Sequence, residues 1–401
     1  MNKKMRKQSY VADLLGVSRL AVETVVGVTE LVETVHMTVL NKAIGTPAVR
    51  PVAGVSTLVY RSVRSVTRLV GGGLDAVLAR LIPVLGEQNG WSGRDALLAA
   101  VNGVLGDRLA AGVNPLAIPM SLRHQGEALA LERAELAQAY PQPSGRLLVL
   151  AHGLCMNDLQ WTRNGHDHGA LLARERGYTP LYLHYNSGLH ISSNGAQFAQ
   201  LLQTLLEQWP VPVEELVIVG HSMGGLVARS ACHAGALAGH GWPARLSKLV
   251  CLGSPHHGAP LERGGNWFHL ITDLSAYSAP FSRLAKLRSA GITDLRHGSV
   301  QDADWAGMDR FEHGVPLPRS LPLPAQTQCF AVAATLGGAD DALATRLLGD
   351  GLVPLASALG QHADPQRTLH FAASGQQTVY QTNHMALLDS PAVAELLLGW
   401  L

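Results

Sequence analysis

The sequence has little charge of either sign. Only 15% of its 401 residues are charged, and the formal net charge is +1. A strong field of one sign draws a protein to nucleic acid, so this balance argues against a nucleic-acid partner. Hydrophobic residues make up 47% of the chain, enough to bury a sizeable core. Length and composition therefore favour one large domain with an extension, or two domains.

Long apolar runs and paired cysteines are also missing. No uninterrupted stretch of about 18 apolar residues occurs, so no membrane-spanning helix is predicted. The basic start of the chain leads into an apolar stretch that Asp13, Arg19 and Glu23 interrupt, so we predict no signal peptide. The four cysteines form no Cys-x-x-Cys motif and are predicted to be reduced thiols. We therefore expect a cytoplasmic protein, with peripheral contact to a membrane or lipid surface left open.

The first third of the chain carries a helical pattern with few strand signals. Predicted helices cover residues 25–39, 59–70, 95–109 and 127–139. In the first two, valines recur at three- and four-residue spacing, as on amphipathic helices. Arg61, Arg64 and Arg68 add a basic stripe to the second. Such a stripe predicts either contact with an anionic lipid surface or the solvated face of a helical layer.

From residue 145 the pattern changes to short apolar strands that alternate with helices. Predicted strands cover residues 147–151, 181–185, 216–219, 249–252, 329–334 and 368–372. The main predicted helices cover residues 194–209, 223–237 and 391–401. This alternation implies a mostly parallel sheet covered on both faces, with a site at the carboxyl ends of the strands.

The fold class predicted from these patterns is α/β, with a helical extension at its N-terminal side. Residues 1–140 are predicted to be a helical region, and residues 141–401 an α/β catalytic domain. Residues 260–325 lose the alternation and are predicted to form a cap or lid over the site. A structural insertion that never moves is the alternative for this segment.

The stretch Gly220-His221-Ser222-Met223-Gly224 follows a predicted strand and precedes a predicted helix. This is the Gly-x-Ser-x-Gly nucleophile elbow, in which a sharp turn lifts the serine hydroxyl above the sheet. Glycines beside the turn allow the strand and the helix to approach closely. The dipole of the helix favours negative charge at its N-terminus. Ser222 is therefore the predicted nucleophile, and an ordinary turn with a capping serine is the alternative.

A serine nucleophile needs a base, and the base needs an acid that orients it. In a fold of this type the order along the chain is serine, acid, histidine. Asp350, between Gly349 and Gly351, is the predicted acid. Asp340 and Asp341 lie nearer the preceding strand and are its rivals.

His384 is the predicted base among 18 histidines. It lies between the last predicted strand and the terminal helix, which is the position that the fold requires. His362 precedes that strand and His370 lies inside it, and both are alternatives.

Two backbone N–H groups are predicted to bind the oxyanion of the tetrahedral intermediate. One belongs to Met223, directly after the nucleophile. The other is expected in the loop His152-Gly153-Leu154 after the first strand of the domain, and we assign it to Leu154. Cys155 follows and is predicted to be a small buried residue in the wall of the pocket.

Several motifs in order and spacing resemble those of the α/β-hydrolase fold. They are His152 to Asp158, the elbow Gly220 to Gly225, Gly253 to Pro260, Gly349-Asp350-Gly351 and His384. Within that fold, residues 145–401 are similar to bacterial lipases and esterases related to GPI inositol-deacylase-like hydrolases. The resemblance implies ester hydrolysis by Ser222, Asp350 and His384. Many lipases carry an acidic residue shortly after the base, whereas here Asp389 stands five residues further on.

No cofactor and no metal are predicted. His166-Asp167-His168 and His256-His257 suggest a metal, but their spacing is not diagnostic of a ligand set. The predicted function is hydrolysis of carboxylic esters with an apolar acyl group, and the predicted partner is a lipid or small-molecule ester. A thioesterase or acyltransferase with the same triad is one alternative. A lipid- or granule-surface interaction protein is the other.

Overall fold

The structure is a computed structural model that describes residues 94–259, 289–307, 320–340 and 349–401. The predicted helices of residues 25–39 and 59–70, with their arginine stripe, lie outside the described residues. So does most of the predicted cap, residues 260–288 and 308–319. The chain divides into two compact units, Met1–Arg94 with Leu109–Ala117, and Asp95–Arg108 with Ile118–Leu401. The described part of the first unit is the end of one helix and the turn after it.

Within the described residues the α-helices are α1 (Arg94–Ala111), α2 (Arg133–Ala139), α3 (His168–Arg176), α4 (Ile191–Gln208), α5 (Met223–Leu237), α6 (Ala290–His297), α7 (Leu355–Ala358) and α8 (Pro391–Trp400). The strands are β1 (Ser121–His124), β2 (Glu127–Ala128), β3 (Arg146–Ala151), β4 (Thr179–His184), β5 (Glu215–His221), β6 (Leu246–Leu252), β7 (Gln328–Ala334) and β8 (Gln376–Val379).

These strands form one mostly parallel sheet of eight in the order β2-β1-β4-β3-β5-β6-β7-β8. Strands β3 to β8 run parallel, and β1 is antiparallel to both β2 and β4. Ala151 at the end of β3 pairs with Leu183 and with Gly220, so three neighbouring strands end at one level. The loops that follow these strands therefore meet at one edge of the sheet. The predicted α/β-hydrolase fold class is confirmed.

The central strands are buried on both faces. Residues 147–151 of β3 are all 0% exposed, although successive side chains point to opposite faces. On one face, Leu148 and Leu150 pack in a cluster with Leu172 of α3 and Leu397 of α8. This double burial explains why the strand sequences are continuous apolar runs rather than alternating ones.

The prediction that residues 1–140 form a helical region is wrong between residues 121 and 128. Strands β1 and β2 form a hairpin there, joined by Gln125 and Gly126 at φ 52° and 78°. A two-residue hairpin turn with positive φ at both residues matches the right-handed twist of the flanking strands. Helix α2 begins only at Arg133. The predicted boundary near residue 140 stays a prediction.

The predicted last strand, residues 368–372, is also wrong. Its Leu369 and Phe371 are buried in a cluster with Val353 and Ala331, but the backbone there is a loop. The alternation of apolar residues therefore comes from loop packing. The true last strand is β8, whose Gln376, Gln377 and Thr378 form the polar edge of the sheet.

Four cysteines are free thiols, with Cys155, Cys232 and Cys251 buried and Cys329 partly buried. Among the described helices, none is both long and apolar enough to cross a bilayer.

Candidate active site

Ser222 occupies a sharp turn between β5 and α5. Its φ is 54° and its ψ is −121°, a region that L-residues rarely adopt. A Cβ on Gly220 would overlap the backbone of Gly225, and one on Gly224 would overlap the carbonyl oxygen of Ala151. Only glycine fits at either position. The elbow therefore has serine at the residue with the strained backbone and glycines at the two positions where the helix packs closely against the sheet.

His384 and Asp350 are in direct contact at the same edge of the sheet. His384 Nδ1 lies 2.6 Å from Asp350 Oδ2, and the His384 backbone N–H donates to the Asp350 carbonyl oxygen at 3.0 Å. The second carboxylate oxygen of Asp350 accepts from the N–H groups of Leu352 and Val353, at 2.9 and 2.8 Å. Both side chains are buried. The pair therefore has the geometry of an oriented imidazole with Nε2 left for another partner.

The rival residues do not form such a pair. Asp340 is exposed, and Asp341 lies outside the described residues. His370 is exposed, and His362 Nδ1 accepts from the backbone N–H of Asp364.

His221 links the elbow to His384. Its Nε2 donates to the His384 carbonyl oxygen at 3.1 Å, and the two ring centroids are 4.8 Å apart. A Cβ on Gly253, after β6, would lie 3.2 Å from two atoms of the His384 ring. His384 is thus held against the ends of β5 and β6, where Ser222 N also donates to the Leu252 carbonyl oxygen. Within the described residues, the hydrogen-bond partner of the His384 ring is Asp350, through Nδ1. In hydrolases without a bound substrate, the hydrogen bond between serine and histidine is often long, and it shortens in the substrate complex.

Burial keeps His221 neutral. Its pKa is well below the ordinary value because the ring is desolvated and because a charge on His384 would repel a second one. A neutral His221 donates through Nε2 without placing a positive charge beside the His384 ring. No role was predicted for this residue, because the elbow motif admits any residue at its position.

The loop after β3 lies directly beside Ser222. A Cβ on Gly153 would be 3.1 Å from Ser222 Cβ. The carbonyl oxygen of His152 accepts from the Tyr185 hydroxyl at 2.7 Å, and that of Gly153 accepts from Met156 N at 3.3 Å. Both carbonyl oxygens are thus hydrogen-bonded within the protein, and the backbone N–H groups of this loop can point in other directions. No described residue accepts from Leu154 N, and Met223 N, in the first turn of α5, has no acceptor within its helix.

Cys155 is a buried thiol rather than a reactive one. Burial raises the pKa of its thiol to about 12, so the sulfur stays protonated. Its backbone has φ 58°, and its N–H donates to Ser187 Oγ at 3.0 Å. Ser187 has no motif around it, and only the structure brings it to this loop.

The histidines that suggested a metal contact protein groups, although Nε2 of His256 and of His257 is buried with no hydrogen-bond partner among the described residues. His166 Nε2 lies 2.8 Å from His168 Nδ1, and His168 Nε2 donates to the Leu387 carbonyl oxygen at 3.0 Å. His256 Nδ1 lies 3.2 Å from Arg229, and the two are buried together. In the part of the chain that the structure describes, no three His, Cys, Asp or Glu side chains are grouped to hold a metal ion.

Residues 143–327 match the family model of the PGAP1-like alpha/beta domain. This match covers the loop after β3, the elbow and the loop after β6, and it confirms the resemblance predicted from those motifs. No curated protein matches the sequence.

Solved structures of bacterial and metagenomic hydrolases are similar to this chain. The mature lipase BlEst2 of Bacillus licheniformis is 18% identical, with a TM-score of 0.41 over 70% of this chain and 98% of its own. The metagenomic carboxyl esterase MGS0156 is 19% identical, with a TM-score of 0.35 over 74% of this chain and 81% of its own. MGS-MChE2, an α/β hydrolase from a lagoon-sediment metagenome in Morocco, is 19% identical, with a TM-score of 0.35 over 64% and 91%.

Proposed function

We propose that the protein is a serine hydrolase that cleaves carboxylic esters through an acyl-enzyme on Ser222. The observation that carries this proposal is the buried hydrogen bond of 2.6 Å between His384 and Asp350, held beside a strained elbow serine. If Ser222 were only a capping serine in an ordinary glycine-rich turn, no oriented imidazole would be required beside it. The three residues also follow in the chain order that the fold uses.

In the proposed reaction, the Ser222 hydroxyl attacks the ester carbonyl while His384 Nε2 takes its proton. The tetrahedral intermediate collapses, the C–O bond to the alcohol breaks, and His384 returns the proton to the leaving oxygen. Water then attacks the acyl-enzyme by the same route, releasing the acid and restoring Ser222. Asp350 holds Nδ1–H throughout, so that Nε2 is the basic nitrogen when the serine needs it.

The oxyanion is proposed to bind the N–H groups of Leu154 and Met223. Each donor of this kind contributes about 3–4 kcal/mol of transition-state stabilisation. The N-terminus of α5 adds its dipole at the same point.

The experiment that tests the proposal is labelling with a fluorophosphonate, because an activated serine attacks phosphorus as it attacks an ester carbonyl. We expect one adduct, on the peptide that contains Ser222, and none in Ser222→Ala. An adduct on another residue, or none on the folded wild-type protein, would overturn the proposal.

The same triad serves two other chemistries. A panel of p-nitrophenyl esters, phospholipids and acyl-CoA thioesters separates an esterase from a thioesterase, which would prefer the thioesters. Transfer to an added alcohol in place of water would mark an acyltransferase. A protein that binds lipid vesicles but hydrolyses nothing in the panel would be an interaction protein.

We also propose a cytoplasmic protein with a mainly helical N-terminal region, residues 1–140. This region contributes residues 95–108 of α1 and the hairpin of β1 and β2 to the compact unit that contains the catalytic domain, residues 141–401. The stripe Arg61, Arg64 and Arg68 supports peripheral contact with an anionic lipid surface. Residues 260–325 are proposed to cap the site, because they follow the loop after β6 at its edge.

A further inference from the structure

Helix α1 comes from the part of the chain predicted to lie outside the catalytic domain, yet its middle is enclosed. Residues 99–106 are all buried, whichever side of the helix they occupy. A helix buried all round belongs to the interior of a folded unit rather than to a surface layer. Residues 95–108 lie within the compact unit that holds the sheet. What encloses this helix includes the loop beside Ser222.

Two glycines let the helix touch that loop and its support. A Cβ on Gly103 would overlap Sγ of Cys155 and lie 3.0 Å from the Cys155 Cα and backbone N. A Cβ on Gly106 would overlap Oδ1 of Asn186. In return, Gly188 lies so close to the helix that its own Cβ would overlap the Asn102 carbonyl oxygen. The helix and the loops thus meet backbone to backbone.

Hydrogen bonds fix this contact in register. Asn186 Nδ2 donates to the Gly106 carbonyl oxygen at 2.9 Å, and Ser289 Oγ donates to that of Gly103 at 2.6 Å. Ser187, between Asn186 and Gly188, accepts from Cys155 N at 3.0 Å. The helix therefore holds residues 186–188, and these hold the residue that follows Leu154.

We infer that helix α1 is a positioning element for the oxyanion loop, acting through Gly103 on Cys155 and through residues 186–188 on the Cys155 amide. The inference rests on the proposed function, because it assigns the purpose of this contact to the Leu154 N–H. Cys155 has positive φ, and a residue in that conformation needs its surroundings to hold it. Without helix α1, Cys155 would lose this support. The Gly153–Leu154 peptide would then be free to rotate, and the Leu154 N–H would leave the site.

The central test is Gly103→Ala, measured as kcat and KM on a soluble p-nitrophenyl ester. We expect kcat to fall about ten- to a hundredfold with KM nearly unchanged, because small displacements of a catalytic donor cost rate rather than binding. Amide hydrogen exchange at residues 152–157 should accelerate in the same variant. Gly399→Ala is the matched control, since Gly399 also lies in a helix and a Cβ there meets nothing within 4 Å.

A rescue separates positioning from general damage. Cys155→Gly removes the sulfur that the new methyl group would overlap and keeps a residue that accepts positive φ. We expect Gly103→Ala to cost much less kcat in the Cys155→Gly background than in the wild type. Equal costs in the two backgrounds would overturn the inference.

Ser187→Ala tests the other route and covers the case in which Gly103→Ala does not fold. It introduces no clash and removes the acceptor of Cys155 N, so we expect lower kcat at unchanged KM and faster exchange of that amide. Wild-type kcat and exchange in either folded variant would overturn the inference alone, with the proposed function intact. A wild-type protein that hydrolyses no ester and takes no label on Ser222 would overturn the proposed function, and the inference with it.

Discussion

His384 is bound to Asp350 twice, once through its ring and once through its backbone. The ring nitrogen Nδ1 meets Oδ2 at 2.6 Å, and the backbone N–H meets the Asp350 carbonyl oxygen at 3.0 Å. The two bonds have separate consequences. The backbone bond sets where His384 stands, and the ring bond sets which tautomer it carries.

We therefore expect Asp350→Asn to lower kcat by about 10⁴-fold while the protein stays folded. The backbone bond survives the substitution, but an amide in place of the carboxylate no longer favours a proton on Nδ1. Steady-state kinetics on a soluble ester, with circular dichroism for the fold, measure this. Asp340→Asn, at an exposed position, is the control and should keep wild-type kcat. If Asp340→Asn proved the more damaging change, the acid would be assigned wrongly.

Gly153→Ala should lower kcat by about tenfold or more. The added methyl would stand 3.1 Å from Ser222 Cβ and 3.2 Å from Met156 Sδ, so the loop must move away from the nucleophile. Such a shift takes the Leu154 N–H out of line with the oxyanion. Gly241→Ala, where the nearest atom is 4.0 Å from the new Cβ, should have no effect. Unchanged kcat in Gly153→Ala would mean that this loop supplies no donor.

Stability should depend on pH through His168. Burial lowers the pKa of His168 from 6.5 to about 4, with its bond to the Leu387 carbonyl oxygen acting in the opposite direction. Between these values the unfolded chain binds a proton that the folded protein does not. The free energy of unfolding therefore falls as pH falls from 6.5 towards 4, by about 1.4 kcal/mol per pH unit for this group.

His168→Gln removes that proton-binding site. Urea unfolding at several pH values between 4.5 and 6.5 should give a slope flatter by up to about 1.4 kcal/mol per pH unit. Equal slopes for His168→Gln and the wild type would show that His168 titrates alike in both states.

Replacing Arg61, Arg64 and Arg68 with glutamine should weaken binding to anionic vesicles and spare hydrolysis of a soluble ester. Each basic residue near an anionic surface contributes about 1 kcal/mol, and salt screens the attraction over about 10 Å at roughly 0.1 M. Co-sedimentation with vesicles at low and high salt measures the effect. Undiminished binding by the triple variant would leave a structural helical layer as the role of this stripe. Lost esterase activity would point to support of the fold instead.

Strands β3 to β7 and their site motifs could be predicted from sequence because each strand is an apolar run that ends in a recognisable loop. The hairpin of β1 and β2 could not, since it depends on two turn residues rather than on periodicity. Strand β8 was missed because an edge strand needs no apolar face. The neighbouring segment with Leu369 and Phe371 imitates a strand while packing as a loop.

For the site, chain order narrowed the candidates, the tight Gly-Asp-Gly loop favoured Asp350, and the place between the last strand and the terminal helix favoured His384; the structure places the two in contact. Ser187 and Gly103 could not be predicted from the sequence. Their importance lies in contacts with Cys155 across 32 and 52 positions of the chain, and no local pattern marks either residue.

The backbone of Ser222 has φ 54°, a conformation that lowers the stability of the fold at the position where the proposed reaction requires a serine hydroxyl. Holding a residue other than glycine in such a conformation costs about 1–3 kcal/mol. Ser222→Gly is therefore a substitution that relaxes the turn while it removes the hydroxyl. Among variants without a nucleophile, it should unfold at a higher temperature than Ser222→Ala. The difference in melting temperature between those two variants would measure the strain that the turn imposes on residue 222.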